Sequence, residues 1–214
     1  MPESCGFGMV SLIPALGDRC RYHAQDMTYT RLSTELEGQA LALLESFREE
    51  LCKLIGNAQR TFRTIDVGQS DSGPHLEVED DTCIVVVGPN AVAYEPALVA
   101  NLAHESVHLH LAERGNRLAS GLEEGFAVRF ELKMVEMRYG HEERLHHIKH
   151  LPKTYKTALA DYSQLETISE NPVMLLLATH GKLSGLTSRE LRRTFPSLGW
   201  MMSRRLARCK QMRA

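Results

Sequence analysis

The stretch 96–113 constrains the fold most, because its apolar residues leave almost no side of a helix for solvent. At about 100° per residue, Asn101, His104, Glu105 and His108 fall within an arc of about 100°. Apolar residues lie around most of the remaining helix surface: Val99, Ala100, Leu102, Ala103, Val107, Leu109 and Leu111. A helix that is apolar on nearly every side is predicted to be buried. Its single polar stripe is expected to line a cleft or bind a ligand, because burying an unpaired polar group costs roughly 1–3 kcal/mol.

Within that stripe, residues 104–108 read His-Glu-Ser-Val-His, an H-E-x-x-H motif. Two histidines four residues apart lie on one face of a helix, so His104 and His108 can both reach one zinc ion. Glu105 lies about 100° further round, near the metal without being a ligand. The alternative is a pair of hydrogen-bonded core histidines, but that interpretation explains neither the stripe nor the glutamate.

A zinc site of this kind needs a third protein ligand, which leaves one position for water. The next predicted helix contains Leu122-Glu123-Glu124-Gly125. Glu124 falls on the most buried side of this helix, whereas Glu123 lies about 100° away, nearer the edge of that side. We therefore predict Glu124 as the third ligand. Gly125 is expected to let the two helices approach closely, and His110 lies on the wrong side of the first helix to bind the metal.

The run LAHESVH followed by LEEGFAVRFE resembles the gluzincin branch of zinc metallopeptidases, the group that contains thermolysin and the aminopeptidases. The resemblance is close over residues 96–139 and extends to the rest of the chain only through the order of elements. It implies that His104, His108 and Glu124 bind Zn²⁺ and that Glu105 is the general base in the hydrolysis of a peptide or amide bond.

One position departs from the thermolysin pattern. Enzymes of that type carry an acidic residue four positions after the ligand glutamate, and this chain has Val128 there. Hydrogen-bonding support for the ligand histidines is therefore expected from Glu131 or a backbone carbonyl, with Asn101 as a further candidate. The seven-residue spacing of Glu131 and Arg138 on the buried face also predicts an ion pair between them.

The expected chemistry is proton transfer by Glu105 from water to the leaving amine. Gluzincins often stabilise the oxyanion with a downstream tyrosine or histidine. The resemblance therefore implies Tyr155 or His150 for this role, with Tyr162 and His147 as further candidates. The spacing does not choose among them.

Residues 141–150, HEERLHHIKH, contain a second histidine pair four residues apart, His146 and His150. An exposed polar turn is the favoured interpretation of this segment. A second metal site that also uses Glu142 or Glu143 is the alternative.

The pattern of elements predicts an α+β fold. A capping box at Thr34 and Glu37 starts a helix that runs to Gly56. Strands are predicted at Met9–Ile13, Thr61–Val67, Leu76–Glu79 and Cys83–Val87. Helices are predicted near 96–113, 121–139, 152–167, 172–180, 188–195 and 198–211, with a second capping box at Thr187 and Glu190. The strand Cys83–Val87 is either an edge that pairs with an extended substrate or an interior strand.

We therefore expect a single zincin-like domain over residues 1–214, with a small antiparallel or mixed sheet. Residues 1–115 form an α+β lobe that carries the H-E-x-x-H helix. Residues 116–214 form a helical lobe that supplies the third zinc ligand.

Composition places the chain among ordinary globular proteins, at 43% hydrophobic and 24% charged residues. No apolar run reaches the roughly 18 residues of a membrane span, and the first 25 residues lack a secretory signal pattern. The five cysteines are scattered and contain no C-x-x-C, which is typical of reduced thiols. These features predict a cytoplasmic protein that does not bind a membrane.

The charge is unevenly distributed along the chain. Residues 189–214 hold eight basic residues and one acidic residue, a net charge of +7, whereas the remainder holds 17 basic and 26 acidic residues, a net charge of −9. The solvated faces of two terminal helices are the favoured explanation, and nucleic acid is not the expected partner. The expected partner is a peptide or protein substrate, and no oligomeric state is predicted. The alternative function is a non-catalytic or regulatory zinc-binding protein that uses the basic helices to bind a partner or nucleic acid.

Overall fold

A small sheet and a larger set of helices make up the computed structural model, so the predicted α+β class is confirmed. The structure describes residues 29–58, 61–79, 81–112, 119–183 and 185–208. The predicted strand Met9–Ile13 lies outside these residues. The described elements are β1 (Thr30–Arg31), α1 (Thr34–Ile55), β2 (Thr64–Gln69), β3 (His75–Glu79), β4 (Thr82–Val87), α2 (Asn90–Ala93), α3 (Glu95–Leu111), α4 (Gly121–Tyr139), α5 (His141–His150), α6 (Lys153–Glu166), α7 (Pro172–His180), α8 (Ser188–Thr194) and α9 (Trp200–Leu206).

The N-cap of helix α1 lies one residue earlier than the sequence predicts. Ser33, not Thr34, is the N-cap, because its backbone is extended and its side chain accepts a hydrogen bond from the Leu36 amide. The helix ends at Gly56, whose φ of 89° is a conformation that glycine adopts without strain. The buried face of α1, which includes Phe47 and Leu51, packs against α3.

The sheet is mixed, with the strand order β1-β2-β4-β3. Strands β2 and β4 are parallel, whereas β1 and β3 are antiparallel to their neighbours. Strand β4 is therefore interior, which settles the alternatives left open for Cys83–Val87. Its apolar run follows from this position, because an interior strand buries both faces, and Cys83, Val85 and Val86 are fully buried. The outer strands among the described residues are β1 and β3.

Helix α3 is the central element, in contact with α1, α4 and the sheet. Its apolar surface is buried as predicted, with Val99, Leu102 and Val107 fully excluded from solvent. The prediction that Gly125 allows the close approach of α3 and α4 is wrong about which helix it contacts. A Cβ there would lie 2.5 Å from the carbonyl oxygen of Ala158, so this glycine brings α4 close to α6 and not to α3.

Residues 141–150 form helix α5 and not the predicted turn. Gly140, with φ of 89°, separates α5 from α4. Glutamate, arginine, leucine and lysine favour a helix, but the segment lacks the apolar stripe that reveals one in a sequence. The capping box of Thr187 and Glu190 is confirmed at the start of α8. None of the described helices is long and apolar enough to cross a membrane.

Candidate metal centre

Two helices bring the predicted metal ligands together. His104 and His108 lie one turn apart on α3, and Glu124 lies in the first turn of α4. Ser120 caps α4 by accepting a hydrogen bond from the Glu123 amide, which fixes the start of the helix and so the direction of its first carboxylates. The nearest donor atoms of His104, His108 and Glu124 all lie within 4.8 Å of one another.

The carboxylate of Glu124 faces the same nitrogen of both imidazoles. Its Oε2 atom lies 3.3 Å from Nε2 of His104 and 3.8 Å from Nε2 of His108. This oxygen is fully buried and has no hydrogen-bond partner among the described residues, even at 3.3 Å. A buried oxygen left without a hydrogen bond costs roughly 1–3 kcal/mol. Its position between two imidazole nitrogens is the arrangement of a three-ligand site.

The other nitrogen of each histidine is held by a different carboxylate. Nδ1 of His104 donates to Oε2 of Glu131, and Nδ1 of His108 donates to Oε1 of Glu123, both at 2.8 Å. A carboxylate partner keeps hydrogen on Nδ1 and directs the Nε2 lone pair to the centre. Each imidazole is therefore oriented as in carboxylate–histidine–metal triads.

The electrostatics of the centre favour a bound positive charge. Burial opposes the charged form of His104, but the carboxylates of Glu124 and Glu131, 3.3 Å and 2.8 Å from its two ring nitrogens, outweigh burial and raise its pKa to about 10. Burial likewise opposes the charged form of His108, yet the carboxylates of Glu124 and Glu123 raise its pKa well above the usual value. Burial acts to raise the pKa of Glu124, but the two histidines lower it well below its usual range. A metal ion that binds here must displace protons from the imidazoles.

Glu105 lies beside this cluster and is 4% exposed. Burial raises the pKa of its carboxyl group, and the charges of His108 and His104 oppose that rise. No hydrogen bond to this carboxylate is found among the described residues. A carboxylate with a raised pKa and free lone pairs is suited to accept a proton near neutral pH.

Glu131 supports His104 in the way the sequence predicts, and it also binds a second histidine. Nε2 of His147, on α5, donates to Oε1 of Glu131. Burial acts to raise the pKa of Glu131, but the hydrogen bonds from His104 and His147 lower it. The predicted ion pair between Glu131 and Arg138 is wrong. The Arg138 guanidinium instead lies over the ring of Phe47, 5.5 Å from its centroid.

Of the candidates for the oxyanion role, Tyr155 reaches the centre. Its ring centroid lies 5.2 Å from that of His104. Burial raises the pKa of its hydroxyl group, and the charges of Glu124, Glu105 and Glu131 raise it further. The tyrosine is therefore held in its protonated form, able to donate a hydrogen bond.

The structure does not bring the other oxyanion candidates to this position. His147 is engaged with Glu131. Tyr162 packs against Phe126 in the core, with ring centroids 5.7 Å apart. His150 is exposed, and its Nδ1 donates to the carbonyl oxygen of His146.

Asn101 has a different partner from the one expected. Its Oδ1 atom accepts a hydrogen bond of 2.9 Å from the amide of Gly88, and no bond to a ligand histidine is found among the described residues. Gly88 directly follows β4, so Asn101 fixes α3 to the end of this interior strand. The predicted hydrogen-bonding support of a ligand histidine by Asn101 is therefore not seen among the described residues, and Asn101 instead helps to position α3.

Sequence reasoning missed two residues near the centre. Glu123 was placed at the edge of its helix face, although it holds His108. His75, at the start of the outer strand β3, is close enough for its charge to lower the pKa of Glu105. Its Nδ1 donates to the Gly73 carbonyl oxygen. No spacing in the sequence reveals it, because only the pairing of β3 with β4 brings this end of the strand beside α3.

Comparison with known proteins adds no relative: no protein-family model, curated protein or solved structure matches the chain.

Proposed function

We propose that this chain is a zinc-dependent metallohydrolase of the gluzincin type that cleaves a peptide or amide bond. His104, His108 and Glu124 are the proposed ligands. The observation that carries the proposal is the buried Oε2 atom of Glu124, which makes no hydrogen bond to a described residue and lies within 4 Å of Nε2 of both histidines.

The chemistry of the donor set fits zinc. Two imidazole nitrogens and one carboxylate oxygen are the ligand set of catalytic zinc sites with an open fourth position. Glu105, Glu123, Glu124 and Glu131 are each 4–5% exposed. The ion-pair partners of Glu124 and Glu131 among the described residues are histidines. A divalent cation offsets this concentration of buried carboxylates, and when bound it polarises a carbonyl group and acidifies water.

The residues of the chain supply the remaining steps. Glu105 takes a proton from the attacking water and delivers it to the leaving nitrogen. Tyr155 donates a hydrogen bond from its protonated hydroxyl to the carbonyl oxygen as negative charge develops there. Glu131 and Glu123 hold the hydrogen on Nδ1 of His104 and His108 throughout, so that neither imidazole can rotate.

An extended peptide is the substrate class that suits the sheet. Strand β3 is outermost in the strand order, and its outer edge is unpaired among the described residues. A peptide backbone that adds to such an edge is held by main-chain hydrogen bonds. The proximity of His75 on β3 to Glu105 brings this edge near the proposed base.

The test compares two single variants, Glu105→Gln and His104→Ala. Zinc content is measured by mass spectrometry, and activity is measured as cleavage of unstructured peptides. Glu105→Gln should keep zinc and lose at least about 10²-fold in turnover, because general acid–base catalysis contributes 10²–10⁴-fold. His104→Ala should lose the metal. Glu45→Gln, on the exposed face of α1, is the matched control and should change neither.

Two results would contradict the proposal. Purified protein that neither contains nor takes up zinc would remove the metal centre. If wild type and Glu105→Gln both contain stoichiometric zinc and neither cleaves any peptide, the hydrolase proposal is wrong and the alternative of a regulatory zinc-binding protein is favoured.

A further inference from the structure

A groove open to solvent lies beside helices α8 and α9, separate from the candidate metal centre. The groove has a volume of about 460 Å³, and it is lined by Ser188, Arg204, Arg205, Ala207 and Arg208. This volume lies within the range of ligand pockets, about 300–1,000 Å³. Three of its five lining residues are arginines.

The arginines of the groove differ in their pairing. Arg205 is held by Asp161 through two parallel bonds, Nε to Oδ2 at 2.7 Å and Nη2 to Oδ1 at 2.6 Å. Arg204 and Arg208 have no acidic partner among the described residues. The Arg205–Asp161 pair therefore serves to fix α9 against α6, and the other two guanidinium groups supply the positive charge of the groove.

Arg192, a fourth arginine, extends this charge along α8. Nε of Arg192 donates to the carbonyl oxygen of Ser188, which places Arg192 on the same side of α8 as the groove. The hydroxyl groups of Ser188 and Ser203 lie 2.9 Å apart and join α8 to α9 at the same point. The positive surface is thus held on two connected helices.

An exposed aromatic ring adjoins the groove. Trp200 is 55% exposed, and the guanidinium of Arg204 lies over its ring, 4.6 Å from the centroid. Arg204 therefore contributes to both the groove and the aromatic surface. A tryptophan this exposed, next to a basic groove, matches the stacking platforms by which proteins bind single strands.

We propose that the groove binds the phosphate backbone of a single-stranded nucleic acid, with a base stacked on Trp200. Each guanidinium presents a fork of N–H donors that fits a phosphate. A peptide of acidic residues alone, such as polyglutamate, satisfies the same donors but has no flat ring to stack on the indole. The described residues of α8 and α9 carry arginine and no lysine, a composition that favours phosphate and base contacts over simple charge attraction.

This inference departs from the sequence prediction that the basic end is a solvated helix surface. The net charge of −9 on the rest of the chain favours approach of a polyanion from this end of the chain. Binding here does not depend on the metal, so the inference stands apart from the proposed hydrolase activity.

The experiment uses the fluorescence of Trp200, the single tryptophan of the chain, in the full-length protein. Titration with a short oligothymidylate at low salt should quench this fluorescence, and added salt should reverse the effect. Prior removal of zinc by a chelator should leave the titration unchanged. An abasic strand of equal length should bind more weakly and cause little quenching.

Two sets of variants test the contacts. Arg204→Gln/Arg208→Gln should weaken binding roughly tenfold and lower the salt slope by about 1.4, since each single-strand phosphate contact contributes about 0.7. Trp200→Ala, followed by anisotropy of a labelled strand, should also weaken binding about tenfold, whereas Trp200→Phe should keep most of it. Lys149→Gln/Lys153→Gln removes the same charge from exposed positions elsewhere and should bind as wild type. If the double arginine variant does not fold, Arg208→Gln alone replaces it.

Three results would overturn the proposal. Polyglutamate that binds as tightly as the oligonucleotide would assign the groove to acidic peptides. Binding to phosphatidylserine vesicles without binding to the strand would assign it to membranes. An equal loss of strand affinity in the double arginine and double lysine variants would show that binding depends only on net charge and not on the groove.

Discussion

The neighbouring residues Glu123 and Glu124 approach opposite nitrogens of one imidazole. Oε1 of Glu123 lies 2.8 Å from Nδ1 of His108, and Oε2 of Glu124 lies 3.8 Å from Nε2 of the same ring. Successive residues of a helix point about 100° apart, so the pair reaches His108 from two sides. The two carboxylates therefore have different proposed roles, one as a ligand and the other as the group that orients a ligand.

That difference predicts distinct effects of the two matched substitutions. Glu124→Gln should nearly abolish zinc binding, because an amide is a poor replacement for a ligand carboxylate. Glu123→Gln should weaken zinc affinity only about 10- to 100-fold, the usual cost of losing a group that orients a ligand. Competition with a chelator of known affinity measures both. Equal losses in the two variants would contradict the division of roles.

Glu131 accepts hydrogen bonds from both His104 and His147. Substituting Glu131 or His147 should therefore distinguish the effects of these two contacts on zinc affinity. Glu131→Gln should weaken zinc affinity about 10- to 100-fold, since His104 loses the carboxylate on its Nδ1. His147→Ala should have a smaller effect, because Glu131 keeps its bond to His104. Chelator competition on both variants makes the comparison, with exposed His141→Ala as the control. A larger loss for His147→Ala than for Glu131→Gln would show that His147 contacts the metal itself.

Zinc should stabilise the fold through α3 and α4. At a free zinc concentration about 100 times the dissociation constant, binding adds roughly 2.7 kcal/mol, which raises the melting temperature of a chain this size by roughly 5–10 °C. Thermal unfolding with zinc and with a chelator measures this difference. His104→Ala/His108→Ala should show no difference between the two conditions. A shift that persists in this variant would place the stabilising metal elsewhere.

Helix α3 and its burial were predictable because their sequence signal is local. The stripe of His104, Glu105 and His108 on an apolar helix specifies burial, spacing and chemistry within one element, and the direction of Glu124 follows from helical geometry. The third-ligand assignment needed one assumption, that the two helices face each other.

The remaining features depend on how distant segments meet. His75 comes near Glu105 only because β4 inserts between β2 and β3, and strand order is not encoded by alternation within a strand. Helix α5 was taken for a turn because its polar residues give no periodicity, although His147 needs that helix to reach Glu131. The role of Gly125 was assigned to the wrong helix because the sequence does not say which neighbour comes closest.

Gly125 should be intolerant of any side chain. A Cβ there would lie 2.5 Å from the Ala158 carbonyl oxygen and 2.6 Å from Cβ of Tyr162, and neither atom is the end of a flexible chain. Gly125→Ala should therefore destabilise the protein by about 1–3 kcal/mol, as overpacking does. Gly38→Ala, at an exposed position of α1, is the control, since nothing lies within 4 Å of a Cβ added there. This substitution should stabilise the protein by about 0.5–1 kcal/mol. Urea unfolding measures both, and a neutral Gly125→Ala would mean that α6 moves freely.

Tyr155→Phe should separate catalysis from metal binding. The ring remains, so its packing beside His104 and against the small cluster with Val128 and Leu132 is kept, and only the hydroxyl is lost. If that hydroxyl stabilises the developing oxyanion, turnover should fall about 10²- to 10³-fold with little change in KM or zinc content. Tyr162→Phe, in the adjacent turns of α6 but packed on Phe126, is the matched control and should keep full turnover. Equal turnover of Tyr155→Phe and wild type would exclude the Tyr155 hydroxyl from the reaction. His75, at the start of β3, would then be the next residue to substitute.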